Sequence, residues 1–180
     1  MTRDDVIMIL ATLKAAYPHA YKGMTRRDGE ALVNLWQRQF ADEDPNAVQA
    51  AVDALIATRT AGYSITPGEV KEKLHTLRTV NELNESDAWA LVSKACSNGL
   101  YGYREEFAKL PPEVQRAVGA PEQLREWAMM DSDTVQSVVA SNFMRNYRAT
   151  QQRTKEMAML PQTVQQMLSG VADSMKMLNE

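Results

Sequence analysis

Apolar residues recur along this chain at intervals of three and four and almost nowhere in strict alternation, a period that predicts helices from end to end. Val6, Ile9, Leu10, Leu13 and Tyr17 follow a Thr2–Asp5 capping box and stop at Pro18. Thr25 and Asp28 cap a second helix with Leu32, Val33, Trp36 and Phe40 on one face. Asp44 caps a third, opened by Pro45, with Val48, Ala51, Val52, Leu55 and Ile56 inward. Gly62 breaks the chain. Thr66, Pro67 and Glu69 open a fourth helix carrying Val70, Leu74 and Leu77.

The pattern then pauses and restarts. Residues 79–85 are polar and read as a linker. Ser86 can cap a helix with Trp89, Val92 and Cys96, and Asn98-Gly99 stops it. Gly99 to Tyr103 reads as a turn-rich loop, and a short helix follows near Glu105 to Leu110. Pro112 and Pro121 start further helices bearing Val114 and Val118, then Leu124 and Trp127. Ser132 to Leu160 holds neither Gly nor Pro before Pro161. If continuous it is a helix of about 28 residues, roughly 42 Å long. Val135, Val138, Val139, Phe143 and Tyr147 share one face of its first half, while Arg148 to Glu156 is polar and reads as an exposed arm. The last helix, from Pro161 to about Leu178, has an apolar stripe of Val164, Met167, Leu168, Val171, Met175 and Leu178. A short motif occurs twice, as LPPEVQ (Leu110 to Gln115) and LPQTVQ (Leu160 to Gln165). Coincidence or a shared local turn is favoured over a true repeat, because no longer self-similarity surrounds it.

These elements make an all-α protein: a four-helix domain over 1–78, a linker over 79–85, a second helical domain over 86–147, and a long-helix extension with an amphipathic C-terminal helix over 148–180. The 180 residues suffice for one sizeable core or two small ones.

Charge and chemistry narrow the function classes. The net charge is −3, and neither half of the chain is basic, so bulk charge predicts no strong non-specific DNA binding. One cysteine, Cys96, excludes an internal disulfide framework. The start of the chain has no signal-like apolar run, and no stretch approaches a membrane span, so an intracellular location is expected. His19 and His75 are far apart in sequence, and Cys96 reads as a small buried hydrophobe better than as half of a Cys–His dyad. No metal-ligand spacing and no phosphate-binding loop is present. No enzyme, cofactor or metal site is expected.

Three candidate binding surfaces remain. Arg26 and Arg27, with Lys22, cluster at the start of the second helix. Arg145 and Arg148, three apart on the long helix, flank Tyr147, which could stack on a base; Arg153 and Lys155 lie further along. A solvated helix surface is the favoured alternative at both places. The C-terminal stripe is the stronger candidate. Eight of the eleven methionines lie from Met129 onward, and methionine suits surfaces that adapt to a partner. The stripe either packs on the second domain or enters a groove of another protein.

The first 78 residues carry a family pattern: TRDDVIMILATLKAAYP (Thr2 to Pro18), LVNLWQRQFAD (Leu32 to Asp42), AVQAAVDALIAT (Ala47 to Thr58) and ITPGEVKEKL (Ile65 to Leu74). In order and spacing this resembles the phage replicative-helicase loader/inhibitor family. The resemblance implies a replication protein of the infected bacterial cytoplasm. Such a protein binds the hexameric replicative helicase, inhibits it off DNA, and delivers it to the origin through an origin-binding partner, without an ATPase of its own. The family's C-terminal part contacts the helicase; this C-terminal half is longer than the family's tail, and the amphipathic stripe from Val164 to Leu178 is the contact expected from its own pattern. A DNA-binding regulatory protein and a self-associating structural adaptor are the competing classes.

Overall fold

The computed structural model describes residues 1–60, 62–79 and 82–177, with the backbone alone for 172–177. It is helical, with no strand among the described residues. The chain divides into two compact units, Met1–Val80 with Met157–Glu180, and Asn81–Glu156.

The first unit begins with the helices the periodicity predicts: α1 (Arg3–Ala16), α2 (Arg26–Gln39), α3 (Pro45–Thr58) and α4 (Pro67–Arg78). Full capping boxes start α1 at Thr2/Asp5, α2 at Thr25/Asp28 and α4 at Thr66/Glu69. In each, the acid also accepts from its threonine hydroxyl, and this holds the carboxyls of Asp5 and Asp28 below the usual range. Ile9, Leu13, Trp36, Phe40, Val48, Val52 and Val70 are buried together, and the Trp36 and Phe40 rings lie 5.3 Å apart. Each such side chain contributes about 1.5–3 kcal/mol of burial. Leu77, placed inward by the sequence pattern, is half-exposed beyond the last buried turn of α4 at Leu74. A 3₁₀ turn over Pro18–Tyr21, not anticipated, brings the Tyr21 hydroxyl within 2.7 Å of Ser64 Oγ. Arg59, beyond the end of α3, donates to Tyr63 O, lies over the Tyr63 ring and pairs with Glu69 at the start of α4. It thereby closes the connection between the two helices.

The second unit contains α5 (Glu85–Ser97), α6 (Gly99–Lys109), α7 (Pro112–Val118), α8 (Pro121–Ala128) and most of the long helix. Asn84, not Ser86, caps α5: its side chain accepts from Asp87 N–H at 2.8 Å. The expected loop from Gly99 to Tyr103 is helical instead, with a kink at Gly102. Gly99 explains why. A Cβ there would lie 3.1 Å from Leu124 O, so the missing side chain lets α6 start directly against α8.

The long helix runs as α9 (Ser132–Thr134), a π-helical turn (Val135–Val139) and α10 (Ala140–Ala158). The π turn widens the repeat, a common way to shift side-chain phase within a helix. Val135, Val139, Ala140, Phe143 and Tyr147 are therefore buried, while Val138, expected inward, is rotated into solvent. Aromatic contacts link the core, from Trp127 to Trp89 (6.5 Å), Trp89 to Phe143 (5.6 Å) and Phe143 to Tyr147 (5.9 Å). After Pro161, α11 (Gln162–Met177) completes the described elements.

Candidate partner-binding surface

The C-terminal stripe is open. Val164, Met167, Leu168 and Val171 are 37%, 70%, 45% and 57% exposed, and no residue from 161 to 171 is buried. Met175 lies in α11, where only the backbone is described, and Leu178 lies outside the described residues.

The repeated motif shows how unusual that openness is. In the first copy, Val114 and Gln115 N–H groups donate to Pro111 O, and Gln115 Nε2 returns to Leu110 O at 2.8 Å. In the second, Val164 and Gln165 N–H groups donate to Pro161 O, and Gln165 Nε2 returns to Leu160 O, again at 2.8 Å. The motif is one local structure used twice: a proline-led helix start closed by a glutamine side chain. The burial differs. Leu110, Val114, Ala117 and Val118 are all in the second unit's core. The residues in register with them, Leu160, Val164, Met167 and Leu168, include none that is buried.

The acidic run Asp42-Glu43-Asp44 serves three helices. Asp44 accepts from Asn46 N–H at the start of α3. Glu43 pairs with Arg78 at the end of α4. Asp42 Oδ2 accepts from Gln162 N–H, 3.2 Å away, at the start of α11. No sequence signal marks that last bond, because its partners are 120 positions apart. Close by, Lys71 is 7% exposed and donates to Gln39 Oε1 at 3.0 Å. Burial lowers its pKa, while Glu43 and Asp42 act in the opposite direction.

Arg26 pairs with Glu30 on its own helix, and Arg27 and Arg145 are exposed. Arg148 grips both oxygens of Glu85, which holds that carboxyl below its usual range. Tyr147 is fully buried and donates to Leu83 O at 3.1 Å. Its ring is thus part of the core, and base stacking by Tyr147 is corrected to a packing role. The same periodicity that puts Tyr147 between two arginines in sequence puts it on the opposite, apolar face of the helix.

Cys96 is buried in the second unit, and burial pushes its thiol up to about 11, so it is protonated at neutral pH and a poor nucleophile. His75 sits at the end of α4 beside the Thr79 hydroxyl. Among the described residues no group of three or more His, Cys, Asp or Glu side chains is placed to hold a metal. No helix among them is long and apolar enough to cross a membrane.

Residues 1–64, from α1 through α3 to Ser64, match the family model of the gp39 N-terminal domain, the N-terminal domain of phage helicase loader/inhibitors. The resemblance read from the sequence holds over this segment, about a third of the chain. No match was found among curated proteins or solved structures.

Proposed function

We propose that this chain is a loader and inhibitor of a replicative hexameric helicase, with the stripe of α11 as its helicase-binding face. It works by binding alone, holds the helicase inactive off DNA, and releases it at an origin through an origin-binding protein. The family match over residues 1–64 supports the class. The observation that carries the site is the open second copy of the motif. Where this helix start is packed, Leu110, Val114 and Val118 lie under neighbouring helices; where it is open, the equivalent positions are left for a partner's helical groove. Two aliphatic positions, Val164 and Val171, and one methionine, Met167, are the anchors.

The test is binding of the replicative helicase to full-length variants. Met167→Asp and Val171→Asp each put a charge into the contact and should weaken binding by about 30-fold or more, about 2 kcal/mol. Neither residue is packed in the core, so the variants should keep the wild-type melting temperature. Unaltered affinity in both variants would remove the stripe from the helicase contact.

A further inference from the structure

We infer that the loop between α2 and α3 is the seat on which α11 starts, and that Asp42 is the residue positioning that helix. The two copies of the motif show why a seat is needed. In the first, the residue after the leading proline is Pro112, which has no N–H to satisfy at the helix start. In the second, that position is Gln162, and its N–H is an additional orphan donor. Neither Leu160 nor Pro161 has a side-chain acceptor to offer it. Asp42 supplies one from a distant part of the chain, 3.2 Å away. A carboxylate at this end of a helix is also favoured by the helix dipole.

The surroundings are those of a built seat. Gln39, Asp42, Glu43, Lys71 and Arg78 face Leu160, Pro161 and Gln165 across a cavity of about 190 Å³. Glu43 is committed to Arg78 and Lys71 to Gln39, which leaves Asp42 to take the α11 donor. With the root of α11 seated in this way, Val164, Met167, Leu168 and Val171 stay open. The seat thus fixes which way the stripe faces. This consequence for partner binding rests on the reading of the stripe as the helicase-binding face; the seating does not.

Amide hydrogen exchange on the full chain tests the seat without any partner. Asp42→Ala should speed exchange of the Gln162–Gln165 amides by between about twofold and tenfold, the usual effect of losing a helix N-terminal acceptor. Asp42→Asn should restore most of the protection, since asparagine caps as well as aspartate. Gln162→Pro removes the donor and recreates the Pro-Pro start of the first copy. In that background Asp42→Ala should have no further effect on α11. Amides of α1 to α4 should be unchanged throughout. Unchanged exchange of Gln162–Gln165 in Asp42→Ala would overturn the proposal. So would equal acceleration across all of α1 to α4, or an undiminished Asp42→Ala effect in the Gln162→Pro background.

Discussion

Leu83 O receives two hydrogen bonds from the long helix, one from the Tyr147 hydroxyl and one from Gln151 Nε2, both at 3.1 Å. That arrangement makes a quantitative prediction. Tyr147→Phe keeps the buried ring and its stacking on Phe143 and removes only the hydroxyl. Leu83 O still has Gln151, so the loss should be near the low end of a net hydrogen bond, about 0.5–1 kcal/mol. Gln151→Ala should cost a similar amount for the same reason. The double variant leaves the carbonyl with neither donor, and a partly buried acceptor without a partner costs about 1–3 kcal/mol. The double loss should therefore exceed the sum of the single losses by about 1 kcal/mol. Urea denaturation followed by tryptophan fluorescence reads this directly. A Trp36→Phe background confines the signal to Trp89 and Trp127, both in the second unit. Strict additivity would show that the two donors do not share one acceptor. A Tyr147→Phe variant of unchanged stability but weakened DNA binding would contradict the packing role altogether.

Two further substitutions probe single residues. Lys71→Met keeps the side-chain stem and removes a buried ammonium, so stability should be unchanged or rise by up to about 2 kcal/mol in thermal melts; a loss beyond about 1 kcal/mol would mean the amine is a net stabiliser. Because the Lys71 pKa is lowered in the folded state, the unfolded chain binds more protons between that value and 10.5. Wild-type stability should thus gain with pH in that window, and Lys71→Met should lack this gain. Gly99→Ala should destabilise by about 1 kcal/mol despite alanine's higher helix propensity, since its Cβ meets the Leu124 carbonyl at 3.1 Å; a higher melting temperature would show that α6 can move away from α8.

What the sequence discloses follows from the range of the interactions involved. Capping boxes at Thr2, Thr25 and Thr66 act within four residues, so their helices are legible at once. The Leu-Pro helix starts are equally local, and the shared turn expected of them is the structure observed. Features set by packing are less legible. Gly99 to Tyr103 looks like a loop because its glycines disfavour a helix, yet contact with α8 makes it one. Val138 turns outward because a π turn breaks the 3.6-residue period on which the expectation rested. In the candidate surface, the stripe is visible as a pattern, but its openness is not, because an amphipathic helix looks alike whether or not something covers it. Asp42 is the extreme case: its helix-capping partner lies 120 residues away, and nothing local distinguishes it from Glu43 and Asp44.

The proposed hold of the open face of α11 on a replicative helicase is open to direct measurement. The most direct measurement is calorimetric titration of the purified hexameric replicative helicase with the full-length chain, alongside its Val171→Asp variant. Saturable binding by the wild type, weakened about 30-fold or more by Val171→Asp, is the expected result. No heat of binding from the wild type, or equal affinity in the variant, would contradict the account.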